Sequence, residues 1–237
     1  MPAARDGRGE RRTGTSQGRG TAMPASSRPR DRTLAEEIRA SARPGRADRA
    51  LRAFEEAVGL LERGRDAAAL GPAREAKELA PRSGAVREAL GIALYRTEHF
   101  HEALVELQAY RRISGRADQN HLIADSHRAL GAPLKAVSAA REAIRARIPE
   151  EARAEAAVVG AAALADLGRY SEALGLLNAV KPGNRAIRPF DLRIWYVTGD
   201  VLERAGRRQD AVQEFRRVMR HDPGAFDAAE RLARLEG

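Results

Sequence analysis

With 237 residues, 43% of them hydrophobic, the chain can bury a sizeable core, but only 4% are aromatic. Alanine and leucine must supply most of the packing, which suits closely touching helices better than a β-sandwich, and the absence of cysteine excludes disulfides, thiolate metal sites and cysteine nucleophiles. The formal charge of +9 raises the question of nucleic acid or an acidic partner, yet it is uneven: residues 1–32 carry eight Arg against three acids and hold +5 of it.

Those first 32 residues, MPAARDGRGERRTGTSQGRGTAMPASSRPRDR, contain no Val, Leu, Ile or aromatic residue and are dense in Gly, Ser, Thr, Pro and Arg. Such a segment cannot bury enough apolar surface to offset the entropy of ordering, so a disordered basic tail is expected over 1–32. Met23 lies within it and offers an alternative translation start. The N-terminus has no apolar core of a secretory signal, and nowhere are there the roughly 18 consecutive apolar residues of a membrane span. A cytoplasmic protein without membrane contact is expected.

Residues 33–49 should form a short helix and a linker. Thr33 and Glu36 have the S/T-x-x-E spacing of a capping box, Leu34 and Ile38 share a helical face, and PGR at 44–46 ends the segment. From Ala50 onward, helical segments of about a dozen residues alternate with short breaks, and none reads as a strand.

The helices repeat. Small residues in the second helix of each pair, Ala69, Ala103, Ala136, Ala173 and Ala211, lie 34, 33, 37 and 38 residues apart. Setting each at position 20 of a 34-residue unit starts the units near Ala50, Gly84, Ala117, Ala154 and Leu192. Position 8 is then Ala57, Gly91, Ala124, Ala161 or Gly199, again small, although glycine inside a helix costs about 1 kcal/mol against alanine. Positions 8 and 20 are therefore expected where the two helices of a pair cross, because Gly or Ala lets the backbones approach. Gly64, Gly131, Gly168 and Gly206 mark turns, Glu98 stands in that place in the second unit, and Pro81 and Pro223 close the first and last units. Longer spacings before units four and five predict longer loops at IPEEARAE and KPGNRAIRPF.

In the fifth unit Trp195, Gly199, Leu202, Ala211, Phe215 and Pro223 fall on the marked positions of W-x2-L-G-x2-Y…A-x3-F…P, with Thr198 departing at the leucine place and Leu202 replacing tyrosine. Leu90, Gly91, Leu94, Phe100, Ala103 and Leu107 follow the same pattern in the second unit; the third is weaker, with His127 and Ala140 at the tyrosine and phenylalanine places. Over residues 50–225 the chain thus resembles the tetratricopeptide repeat. With its basic tail it resembles a group of actinobacterial tetratricopeptide repeat proteins, which brings no activity with it. The resemblance implies an all-α, right-handed α-solenoid of about five helix pairs. A C-terminal capping helix over 226–237, with Asp227, Glu230, Arg231 and Arg234 toward water, and the N-terminal helix would close its ends.

It also implies a concave groove that holds a peptide or amphipathic helix of a partner protein, faced by positions 2, 5, 9 and 12 of each first helix. In unit one these are Leu51, Phe54, Val58 and Leu61, an apolar end that either the 33–43 helix covers or a partner helix occupies. The expected polar contacts are Asp118, His121, Asp125 and Arg128 in unit three and Arg193, Tyr196, Asp200 and Glu203 in unit five. The Lys and Asn of a chaperone-type carboxylate clamp are missing at positions 5 and 9, where Phe54 with Val58, Glu88 with Ile92, and His121 with Asp125 stand instead.

Asp118, His121 and Asp125 have an i, i+3, i+7 spacing that could collect a cation, but one imidazole and two carboxylates on a surface helix are ordinarily solvated or hydrogen-bonded, and no metal or cofactor is expected. His99 and His101 flank Phe100, which the repeat itself requires. No G-x-x-x-x-G-K-[ST], G-x-S-x-G or H-E-x-x-H occurs, and GRGERRTGTSQGRG has neither a strand before it nor a helix after it, so no catalytic residue is expected. The expected function is a non-catalytic adaptor or scaffold. The alternative is a nucleic-acid-associated protein anchored by its tail, whose arginines could neutralise phosphates but which has no aromatic ring to stack on bases.

Overall fold

The computed structural model describes residues 33–183 and 185–237; the expected tail and the alternative start at Met23 lie outside them. The described residues form twelve α-helices and no strand. Helix α1 (Leu34–Ser41) precedes five pairs: α2 (Ala47–Glu62) with α3 (Asp66–Leu79), α4 (Gly84–Arg96) with α5 (Phe100–Ser114), α6 (Asn120–Ala129) with α7 (Pro133–Arg145), α8 (Glu150–Asp166) with α9 (Tyr170–Asn178), and α10 (Pro189–Arg204) with α11 (Arg208–His221). Helix α12 (Ala228–Glu236) follows. Within each pair the helices pack on each other, and each first helix also packs on the first helix of the next unit, so the pairs stack as an all-α solenoid with a short helix at either end. None of these helices is long and apolar enough to cross a membrane.

The N-terminal cap forms for local reasons. Thr33 Oγ1 accepts from the Glu36 amide at 3.3 Å while the Thr33 amide donates to Glu36 Oε2 at 2.9 Å, a complete capping box. Ile38 is fully buried and joins Ala50, Phe54 and Ala89 in one core cluster. Glu37 then ties α1 to the start of α4, accepting from Ser83 Oγ at 2.7 Å and from the Gly84 amide at 2.8 Å.

Each turn within a pair closes with a backbone bond that requires a left-handed residue. The His99 amide donates to Leu94 O at 2.8 Å, as Arg65 does to Leu60, Ala132 to His127, Arg169 to Leu164 and Arg207 to Leu202. Gly64, Gly131, Gly168 and Gly206 adopt φ between +67° and +73°, and Glu98 is held at +61° in the same role. For an L-residue that conformation costs roughly 1–2 kcal/mol. Glu98→Gly is expected to stabilise the protein by about 0.5–1 kcal/mol after the extra unfolded-state entropy of glycine is subtracted. A urea midpoint that stays put or falls would mean that this turn carries no strain.

The helix crossing differs from the expected match of small against small. All five position-20 alanines are fully buried. Yet a Cβ added to Gly91 would lie 2.7 Å from Cγ and Cδ2 of Leu107, and one added to Gly199 would lie 2.8 Å from the ring of Phe215. Leu107 and Phe215 stand one turn beyond Ala103 and Ala211, on the same helical face. A close-packed interior fills volume removed from one helix with a side chain from the other, so the glycine seats a large residue. In the fourth unit the tight glycine is Gly160, whose Cβ would lie 2.6 Å from the Cβ of Ala140 in the preceding unit.

A second difference bears on the site. Of IPEEARAE, only Ile148 and Pro149 precede a helix: α8 begins at Glu150, with Pro149 as its N-cap and Glu150 and Glu151 in its first turn, where acidic side chains complement the helix dipole. The extra residues lengthen α8 instead of a loop. The connection between α9 and α10 spans 179–188 and so takes in most of KPGNRAIRPF, whose Pro189 and Phe190 already belong to α10. Arg185 grips the fully buried Asp191 with two bonds of 2.7 and 2.9 Å, and Asp191 Oδ2 also accepts from the Arg188 amide at 2.8 Å.

Candidate functional site

An open cavity of about 400 Å³ lies across the first helices of units two, three and four. Helix α4 supplies Ile92, Tyr95 and Arg96; α6 and the turn before it supply Asp118, Gln119, His121 and Leu122; Pro149 and the early turns of α8 supply Glu151, Ala152 and Glu155. Apolar and polar groups therefore converge on one opening.

Its polar groups are held from behind. Asp118 is buried, accepts a 2.8 Å bond from Tyr110 Oη and pairs with Arg116. His121 Nδ1 lies 3.0 Å from the Asp118 carbonyl, which can only accept, so Nδ1 carries the proton and a neutral ring leaves Nε2 as an acceptor. Tyr95 Oη donates to Asp125 Oδ2 at 2.7 Å, and Arg128 Nε donates to Asp125 Oδ1 at 2.9 Å. Gln119 Nε2 donates to Glu88 Oε1 at 2.8 Å, which leaves the Gln119 amide oxygen to accept.

Burial dominates the proton affinities here. It raises the Glu88 carboxyl above its ordinary value against the hydrogen bond from Gln119, and it raises Glu155 against the attraction of Arg193, 3.3 Å away. Burial also lowers His121, outweighing Asp118 and Asp125, which favour the charged ring, while Arg193 adds to the lowering. The unfolded chain takes up this proton near pH 6.5. Unfolding thus binds a proton below that pH, and stability is expected to fall on acidification toward the lowered folded value. His127, lowered by burial and by Lys135, acts in the same direction. Glu88 and Glu155 oppose it further down, because the folded state takes up their protons first as pH falls toward 4.5. His121→Gln should therefore lessen the drop in melting temperature between about pH 7 and pH 5.5. An unchanged drop would assign the proton uptake elsewhere.

The expected contact residues divide into three groups. Asp118 and His121 line the cavity, Asp125 holds Tyr95, which lines it, and the exposed Arg128 pairs with Asp125. Arg193 reaches this group through Glu155. Tyr196, Asp200 and Glu203 instead engage the chain's own C-terminal helix. Arg231 donates to Asp200 Oδ1 at 2.7 Å and to Glu203 Oε2 at 2.6 Å, its guanidinium lies over Tyr196 and Phe215 at 5.8 and 5.1 Å, and Tyr196 Oη donates to Asp227. Arg231, expected on the wet side of the cap, is thus an inward anchor with 13% side-chain exposure, because two carboxylates and two rings meet it there.

At the apolar end Phe54 and Leu61 are buried in the same cluster as Ile38 of α1, with Leu51 and Val58 half-buried against it. These side chains are used in internal packing. The positions 2, 5, 9 and 12 applied to units two and four would have found Tyr95 and Glu155. Glu151 and Ala152 could not be found that way, since they precede the fourth unit's nominal start and join the site only because α8 begins early.

The tetratricopeptide repeat family model matches residues 192–235, the fifth unit and the cap. No curated protein matches the chain significantly. Among solved structures, the solenoid is similar to YrrB, described as a TPR protein with an unusual peptide-binding site, at TM-score 0.55 and 20% identity over 75% of this chain and 89% of that one. It is similar to TTC0263, a thermophilic TPR protein of Thermus thermophilus, at TM-score 0.58 and 16% identity over 78% and 98%. PilF of Pseudomonas aeruginosa aligns at TM-score 0.59 and 16% identity over 81% and 90%. At these identities the structures testify to fold. Together with the repeat matched at 192–235 and the stacked pairs that continue it toward the N-terminus, they show that this chain has the helical-repeat fold of tetratricopeptide repeat proteins.

Proposed function

We propose that the protein is a non-catalytic cytoplasmic adaptor that holds a segment of a partner protein across the first helices of units two to four. The observation that carries this reading is the 400 Å³ opening, where Ile92, Leu122 and Ala152 lie beside Tyr95, Asp118, His121 and Glu155. Apolar walls give a segment surface to bury, and a few fixed polar groups give it register. The peptide-binding site named for YrrB supports the same use of a related fold.

Ala152 is half-buried on an early turn of α8 and lines the opening, so a large side chain there obstructs it at little expense to the core. Ala152→Trp is expected to weaken a partner captured from nuclease-treated lysate by at least about tenfold, as loss of a central contact does, while the melting temperature stays near that of the parent protein. A partner that binds both proteins equally would place recognition outside this cavity.

A further inference from the structure

We propose that the segment held in this cavity presents an arginine side chain, so that the partner is basic where it docks. This rests on the adaptor reading above.

The unused hydrogen-bonding capacity of the opening is of one kind. Gln119 Nε2 is committed to Glu88, which leaves its amide oxygen; His121 Nδ1 is committed to the Asp118 carbonyl, which leaves Nε2 as an acceptor. Glu151 and Glu155 add carboxylates, with Glu155 3.3 Å from Arg193, its charge partner. The single cation in the lining, Arg96, is spent on Leu61 O at 3.1 Å and Asp66 Oδ1 at 3.2 Å. A surface of acceptors with a net negative charge, in a chain whose formal charge is +9, calls for a donor-rich cation from the partner. Arginine has five N–H donors in a plane and a weakly hydrated charge, which matches acceptors on several helices and the ring of Tyr95 better than the compact ammonium of lysine.

The same solenoid already seats one guanidinium in this manner. Two units further on, Arg231 is held by Asp200 and Glu203 and lies over Tyr196 and Phe215. That arginine comes from a helix that follows the last repeat. In the cavity of units two to four the carboxylates and the tyrosine are also present; Arg193 and Arg116 reach Glu155 and Asp118, but among the described residues no guanidinium lies over the ring of Tyr95, and that place is left for the partner.

The test uses the full chain, labelled for NMR and titrated at fixed ionic strength with N-acetyl-arginine amide, its uncharged isostere N-acetyl-citrulline amide, N-acetyl-glutamate amide and N-acetyl-leucine amide. The arginine probe should give saturable shifts at Tyr95, His121 and Ala152, and the citrulline probe should bind at least about tenfold more weakly, as expected when the charge of a charge-assisted bond is removed. Joint substitution Glu151→Gln and Glu155→Gln should abolish that preference, whereas Glu142→Gln, which alters an ion pair with Arg111 on the second helices, should leave it intact. Ala152→Trp should remove the shifts at Tyr95 and His121, and it keeps the test decisive should the double variant be misfolded. Absence of saturation with arginine, equal binding of citrulline, or shifts that survive Ala152→Trp would overturn the proposal. Saturation at these residues by the leucine or glutamate probe alone would overturn the arginine assignment while the adaptor reading stands.

Discussion

Gly91→Ala and Gly199→Ala are each expected to lower stability, by about 1–2 kcal/mol, although alanine is the better helix former. Each new methyl would overlap a side chain that has nowhere to go: Leu107 and Phe215 are fully buried, and the added Cβ at Gly91 would also lie 3.3 Å from the backbone nitrogen of Leu107. Overpacking of this kind costs typically about 1–3 kcal/mol, against which the gain in helix propensity recovers up to about 1 kcal/mol. Gly175 is the matched control. It lies inside α9, is exposed, and a Cβ there meets nothing within 4 Å. Gly175→Ala should therefore raise stability by about 0.5–1 kcal/mol. Urea unfolding followed by circular dichroism separates the cases, since the three substitutions are chemically identical and differ only in what the methyl touches. If Gly91→Ala shifts the midpoint in the same direction and by the same amount as Gly175→Ala, the close crossing of α4 and α5 is not what the glycine serves.

Arg231→Met should release the C-terminal helix and weaken the fifth unit. The methionine keeps much of the apolar contact with Tyr196 and Phe215 but removes the cation that bridges Asp200 and Glu203, leaving Asp200 only the distant Arg204 at 3.8 Å. Breaking a buried pair by removing one partner costs about 3–5 kcal/mol. Here Asp200 and Glu203 keep 28% side-chain exposure, and water will screen part of that, so about 2–3 kcal/mol is expected. In a solenoid each unit is stabilised by its neighbours, so the loss should be local: amide exchange should accelerate over α12 and α11 first and leave α4 and α6 protected. Arg231→Lys should restore little, because an ammonium cannot span both carboxylates and lie flat on two rings. Uniform acceleration along the whole chain would mean that the cap is not a separable element.

The two substitutions probe features of different legibility. The Gly at position 8 was readable because a helix tolerates glycine only for a reason, and a spacing near 34 residues supplied one. What that glycine faces was not readable. The choice between Ala103 and Leu107 depends on how two helices are rotated against each other, which follows from the total volume at the crossing and not from the sequence of either helix alone. Arg231 was misplaced for a related reason: on the helix surface it looks like any solvated cation, and only the stacking of α12 beside α10 and α11 brings Asp200, Glu203, Tyr196 and Phe215 to it from residues about 16 to 35 positions earlier.

Local chemistry decided the rest from the sequence by itself: the helical periodicity, the capping box at Thr33 and Glu36, the left-handed turns at Gly64, Gly131, Gly168 and Gly206, and the count of five pairs, because each depends on a few neighbouring residues and on the limited menu of backbone conformations. Only the tertiary structure decided which inner-face residues remain open. Phe54 and Leu61 went into the core, Asp200 and Glu203 went to the cap, and the early start of α8 brought Glu151 and Ala152 beside Tyr95 and His121. Periodicity reports which face of a helix a residue occupies; the packing of the neighbouring helices determines what, if anything, already covers it.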